Sequence, residues 1–214
     1  MLYEILSQQR SGSTYLYRVL KKYLNAKSLN FDNEPFGHCD KPGFDPEKII
    51  SEIKRSADHI VVIKNHALHL NKLLNLYPVE FNEFYRLPKK RIVLIRHNQF
   101  EKTVSSILAK HYEIWQEQPE DIEPIYVEPW RFRWTYQEII EEYNMLKAEI
   151  KPTDTVVEYE KLSFWPRKDF YNLALTDQKF DELPKFKETK KNKPKDKTIV
   201  NLAELEHIYK TEFV

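Results

Sequence analysis

The stretch Leu2-Tyr3-Glu4-Ile5-Leu6-Ser7-Gln8-Gln9-Arg10-Ser11-Gly12-Ser13-Thr14-Tyr15-Leu16-Tyr17-Arg18-Val19-Leu20 changes its periodicity part-way along. Leu2 to Leu6 is a short apolar run, and residues 7–12 are a polar turn with a glycine. From Ser13 onward the apolar residues fall at 16, 19, 20 and 24, which is the spacing of one helical face. The stretch therefore reads strand, tight turn, helix. That order aims the backbone N–H groups of Ser11, Gly12, Ser13 and Thr14 from a helix N-terminus, which carries about half a positive charge and donors with no intrahelical partner. Gly12 lets backbone approach a ligand closely, and Arg10, Ser13 and Thr14 add side-chain donors. An anion site is expected here. A plain Ser/Thr helix cap would draw on the same residue types.

The rest of the chain repeats the alternation. His59 to Lys64 and Arg91 to Arg96 are apolar on both faces, as buried parallel strands are. Thr155 to Tyr159 is a further strand. Helices are expected over Pro46 to Ala57, Phe100 to Trp115 and Trp130 to Ile150, with Glu138, Glu141 and Glu142 on a solvated face, and a closing helix over Ile199 to Tyr209. Residues 25–45 read as loop, and 184–197 as a Lys-rich internal loop. Strands alternating with helices give an α/β fold, a three-layer sandwich around a central parallel sheet, in one domain over 1–214.

Composition removes several classes. Lys+Arg 34 against Asp+Glu 33 leaves a net +1, so the chain is not built to coat nucleic acid or an anionic membrane. Cys39 is the lone cysteine, which excludes an internal disulfide and a cysteine-only metal site. No stretch approaches ~20 apolar residues, so no membrane span is expected. The polar start is unlike a secretory signal, and a cytoplasmic protein is expected. No His/Cys/Asp cluster suggests a metal. No heptad or interface signature speaks to oligomeric state.

The turn is not a nucleotide-hydrolase loop, because the chain contains no Gly-Lys pair. Gln9-Arg10-Ser11-Gly12-Ser13-Thr14-Tyr15-Leu16 instead resembles the 5′-phosphosulfate loop of sulfotransferases that use 3′-phosphoadenosine-5′-phosphosulfate (PAPS). A second motif points the same way. Arg91 to Arg96 is a strand ending in Arg, and Ser105 follows nine residues later on the next helix. This is similar to the family's 3′-phosphate site, where the planar guanidinium fork bonds two phosphate oxygens. The spacing is most like the bacterial trehalose-type branch; in the cytosolic aryl and steroid enzymes the serine comes one residue sooner. Ser106 is the alternative if the register is shifted by one residue. A third segment, Val156-Val157-Glu158-Tyr159-Glu160-Lys161-Leu162, resembles a late strand-end motif of the family, with Glu160 read as a structural carboxylate.

The resemblance implies a P-loop-like sulfotransferase fold. It also implies PAPS as cofactor, with 3′-phosphoadenosine-5′-phosphate as product, no metal, and transfer to a hydroxyl or amine of a small-molecule or glycan acceptor whose identity the sequence leaves open. Arg10, Ser11, Gly12, Ser13, Thr14, Tyr15, Arg96 and Ser105 would bind the cofactor. Lys187 and Lys191, with Lys185 and Lys190, could close over it, or could be a solvated lysine run.

Two residues compete for the catalytic base. His66, in Lys64-Asn65-His66, follows a strand where open α/β sheets place ligands, and its pKa suits proton transfer; the trio resembles the aryl enzymes' Lys-x-His segment. Glu34, in Glu34-Pro35-Phe36, resembles the Glu-Pro segment of carbohydrate sulfotransferases. The expectation leans to Glu34 as base, with His66 positioning the acceptor and Lys64 and Arg10 as charges. Trp130, Phe132 and Trp134 could stack on an acceptor, although core packing is the more common use of such a stripe. Two other functions remain open: a catalytically weak nucleotide- or glycan-binding relative, since Arg10 cannot donate a proton where many relatives carry Lys, and a P-loop nucleotide kinase, which would need the missing Gly-Lys-Ser/Thr loop.

Overall fold

Runs that are apolar on both faces need cover on both, and the sheet supplies the frame for that cover. A computed structural model describes residues 1–113, 123–162 and 198–214. The strands are β1 (Leu2–Ser7), β2 (Val61–His66), β3 (Lys89–Ile95) and β4 (Thr155–Glu158). The helices are α1 (Ser13–Tyr23), α2 (Pro46–Arg55), α3 (Ala67–Leu76), α4 (Pro78–Tyr85), α5 (Gln99–Tyr112), α6 (Pro129–Ala148), α7 (Tyr159–Leu162) and α8 (Leu202–Glu212). The four strands are all parallel, in the order β2-β1-β3-β4. The chain steps from β1 to one side and from β3 to the other, so the strand order reverses between β1 and β3. Open α/β sheets bind ligands at such a switch point, beyond the strand C-termini.

The described residues divide into two compact units, 1–97 with 142–162, and 98–113 with 123–141 and 198–214. The first unit holds the sheet. Leu2 and Leu6 of β1, Val61 and Ile63 of β2, and Val93 and Ile95 of β3 pack on Ile50, Ile53, Leu70, Leu73, Phe81, Phe84 and Leu146 from α2, α3, α4 and the end of α6. The alternate residues Tyr3, Ile5, Ile92 and Leu94 are buried as well, on the opposite face by the strand's period of two. Helix α1 packs on β1 and β2 and buries Leu16, Val19 and Leu20. The result is consistent with a three-layer α/β sandwich. In the second unit Phe100, Val104, Ile107 and Leu108 of α5 pack with Phe132 of α6 and Leu205 and Ile208 of α8, beside a bridge between Ile125 and Ile199. Among the described residues no helix is long and apolar enough to cross a membrane.

Three details depart from the sequence reading. Strand β2 runs two residues later than expected, because Val61 N–H pairs with Met1 O and sets the register from the chain's first residue. His66 therefore belongs to the strand and does not follow it, while Lys64 lies within the strand as expected. Helices α3 and α4 were not expected; Pro78 opens α4 at a first-turn position that tolerates the missing N–H. The Lys-rich segment 184–197 and Trp115 lie outside the described residues.

Phe36 anchors the irregular stretch between α1 and α2 in the core. Phe36 is fully buried, and its ring meets Phe84 edge-on at 4.7 Å between centroids. Phe36→Ala should lower stability by about 3–5 kcal/mol. Urea unfolding measures this; a loss below about 1 kcal/mol would show that Phe36 does not anchor the segment.

Candidate functional site

The β1–α1 turn opens with Gln8, which is fully buried, and Ser11, whose Oγ donates to Gln8 O at 2.6 Å. Arg10 takes a left-handed backbone, φ 58°, which is uncommon for a residue with a Cβ and stores strain in the turn. Gly12 is the N-cap of α1, at φ 82°. A Cβ on Gly12 would come 2.5 Å from Tyr159 Cε2, so only glycine fits under that ring. No side chain caps the helix, and no acidic residue stands in its first turn. The plain-cap reading therefore finds no side-chain cap bond at this end.

Arg96 follows β3, directly across the switch point, and its Nη1 donates to Arg10 O at 2.9 Å. The Tyr159 ring lies 4.6 Å from the Arg96 guanidinium carbon. Burial lowers the pKa of Arg10, and the nearby Arg96 charge lowers it further. Burial also lowers that of Arg96, while Tyr159 and Glu160 oppose the shift. Glu160 thus acts on Arg96, in keeping with a structural carboxylate. Two cations held this close favour an anion between them.

One residue of this turn's support was misread. Glu142, placed on a solvated helix face with Glu138 and Glu141, is buried, and its Oε1 accepts the Gln9 N–H at 2.8 Å. Helical spacing alone gave no signal, since a carboxylate beside two exposed ones has the same pattern.

Glu34 is set in place by backbone. Lys64 on the edge strand β2 donates its N–H to Asn33 O at 2.8 Å, and Gly37 N–H closes a turn onto Glu34 O at 3.0 Å. Pro35 suits the second position of that turn, and Phe36 locks it into the core. The Glu34 carboxylate then meets the end of β2. Its Oε1 accepts from the Lys64 ammonium and lies 3.5 Å from His66 Nε2. Lys64 Nζ also donates to Thr14 Oγ1 at 2.8 Å, so one ammonium joins the first turn of α1 to the carboxylate. Ser7 Oγ lies 3.2 Å from His66 Nδ1. Both ring nitrogens of His66 thus face partners within the chain, Ser7 and Glu34. Burial by itself would raise the Glu34 pKa. The His66 hydrogen bond and charge, together with Lys64, outweigh it and hold the carboxyl well below the usual range.

The structure thus brings together Arg10, Ser11, Gly12, Ser13, Thr14, Glu34, Lys64, His66 and Arg96 at the strand C-termini of the first unit. Tyr15 is half-exposed on α1. Ser105 lies on α5 in the second unit, next to the buried Ser106, and its pairing with Arg96 rests on the sequence pattern. Lys185, Lys187, Lys190 and Lys191 lie outside the described residues. Phe132 is core, but Trp130 and Trp134 are 66% and 67% exposed, which corrects the core reading of that stripe for both tryptophans. A shallow depression lined by Lys54, Val79, Asn82, Glu83, Arg86 and Leu87 lies before the start of β3, at the opposite end of the sheet from the turn.

No family model matches the chain, and no curated protein matches it. A solved structure of an uncharacterized protein from Eubacterium ventriosum ATCC 27560 matches with a TM-score of 0.36 and 11% identity, over 74% of this chain and 88% of that one. A likeness of that size carries no functional argument.

The Glu34 charge makes a prediction about stability. Its folded pKa lies below the ordinary 4.5, so its contribution is present above that pH and is lost as pH falls through the folded value. Glu34→Gln should therefore be less stable than the parent at pH 7, with the gap closing below about pH 4. Thermal melts across pH 3–7 read it; a constant gap would mean that Glu34 does not carry the charge assigned to it.

Proposed function

We propose that this chain is a PAPS-dependent sulfotransferase of the P-loop-like fold, acting on a hydroxyl of a small-molecule or glycan acceptor. The observation that carries the proposal is the Lys64 ammonium, which touches Thr14 of the anion turn and Glu34 at once. It couples a proton acceptor to an anion-binding helix end without a Walker lysine.

The residues fit the cofactor chemistry. The uncapped N-terminus of α1, with Arg10, Ser13 and Thr14, suits the 5′-phosphosulfate, and Arg96 suits the 3′-phosphate. When bound, PAPS supplies the sulfuryl group and a bisphosphate leaving group. Arg10 and the turn N–H groups hold the charge that grows on the leaving side. Lys64 supplies a positive charge between that side and the acceptor. Glu34 stays anionic at neutral pH and takes the acceptor proton. Its low basicity places that transfer late, once the acceptor oxygen has become acidic. His66 and Ser7 fix the carboxylate's direction. The lone, buried Cys39 fits a reducing, cytoplasmic setting.

One feature favours a second reading, a binder with weak turnover: Arg10 supplies fixed charge and no proton. Labelled PAPS with a panel of sugar, phenol and alcohol acceptors separates the two. Label reaching an acceptor supports the enzyme; retained cofactor without transfer supports the binder. Arg10→Ala should reduce turnover by roughly 10²-fold or more while changing cofactor affinity much less, because its charge matters most in the transition state. Unchanged turnover would reduce Arg10 to a turn residue.

A further inference from the structure

The turn after β1 holds two residues with a left-handed backbone, Arg10 at φ 58° and Gly12 at φ 82°. Gly12 takes that conformation without strain, whereas Arg10 has a Cβ and would relax to a right-handed or extended backbone if nothing opposed it. Two side chains from far along the chain oppose it. Glu142 of α6 accepts the Gln9 N–H at 2.8 Å, and Arg96 donates to Arg10 O at 2.9 Å. These anchors lie on either side of the Gln9 and Arg10 torsions, so together they fix the path of the chain through Arg10. Ser11 Oγ closes the turn from inside, on Gln8 O at 2.6 Å. Glu142 is 6% exposed. Burying a carboxylate is unfavourable, and the charge-assisted bond to the Gln9 N–H offsets part of that penalty. The negative charge opposes any anion at the turn, so what the turn gains from Glu142 is a fixed acceptor and not a field.

We propose that Glu142 is a positioning residue of this turn: it holds Arg10 in its left-handed backbone and so aims the Arg10 guanidinium at the 5′-phosphosulfate. Naming that ligand rests on the sulfotransferase reading; the hold on the Arg10 backbone does not. The action of Glu142 runs through the Gln9 N–H. With that N–H released, one end of the span would be loose, and Arg10 could turn about its N–Cα bond and carry its side chain with it. Charge and geometry make opposite forecasts for this residue. By charge alone, removing a carboxylate beside an anion site strengthens anion binding. By geometry, withdrawing the acceptor weakens binding, and an uncharged side chain that keeps the acceptor leaves it intact.

The test uses the full chain labelled with ¹³C and ¹⁵N, first without ligand. Glu142→Gln keeps an oxygen at the same reach and removes the charge. Glu142→Asp keeps the charge and draws the oxygens back by about 1.5 Å, out of bonding distance of the Gln9 N–H. The Arg10 Cα and Cβ shifts, which report its backbone angles, should match the parent in Glu142→Gln and move toward right-handed values in Glu142→Asp. Calorimetric titration with 3′-phosphoadenosine-5′-phosphate then reads the consequence. Affinity should be at least about tenfold weaker in Glu142→Asp, and equal to the parent or tighter in Glu142→Gln. Arg10 shifts that stay in place in Glu142→Asp, or an Asp variant that binds the bisphosphate as the parent does, overturn the proposal. A parent chain that does not bind the bisphosphate counts against the sulfotransferase reading, and the ligand-free Arg10 shifts still decide the positioning role.

Discussion

The site depends on where one buried ammonium finds its partners. Lys64 is 3% exposed on the edge strand, and a lysine buried to that degree must be paired or lose its charge. Its partners come from two directions, Thr14 from the turn after β1 and Glu34 from the irregular stretch before α2. Backbone makes the meeting possible. Ser7 pairs with His66 in the sheet register, so the turn that follows β1 and the end of β2 emerge together. The Asn33 carbonyl then docks on the Lys64 N–H, and Phe36 holds the whole segment against Phe84. Removing any of these would leave a charge in a low-dielectric pocket without its counterpart.

The same economy of burial runs through the sheet. Glu4 sits fully buried in the middle of β1, where Asn65 Nδ2 donates to Oε1 at 2.7 Å and Lys89 Nζ lies 3.3 Å from Oε2. Arg91 donates from Nε to both oxygens of Asp154 at 3.0 Å, tying β3 to the turn before β4. Such pairs add little net stability against apolar replacements, but breaking one partner is strongly destabilising. Together they fix which strands lie side by side, and so which residues reach the switch point between β1 and β3.

The sequence was informative where a residue's role follows from local chemistry. The change from apolar run to polar turn to helical spacing at residues 2–20 located β1, the turn and α1. The run 91–95 and the Arg after it gave β3 and Arg96, and Glu34-Pro35-Phe36 marked Glu34 as a candidate carboxylate. It was silent where the role depends on a partner far along the chain. Nothing local separates the buried Glu142, bonded to Gln9, from the exposed Glu138 and Glu141. Trp130 and Trp134 share a stripe with Phe132, yet only Phe132 enters a core. His66 reads as a candidate base until Ser7 and Glu34 are seen on its two nitrogens. Helices α3 and α4 were missed because their stretch carries no strong cap signal at the start of α3.

The central claim is that the turn after β1 and Arg96 form one anion site matched to a nucleotide with phosphates at both the 3′ and 5′ positions. Calorimetric titration of the full chain with 3′-phosphoadenosine-5′-phosphate, against AMP under the same low-salt conditions, tests it most directly. The account predicts at least about tenfold tighter binding of the bisphosphate, a preference that Arg96→Ala removes. Equal affinity for the two nucleotides, or a preference untouched by Arg96→Ala, would contradict it.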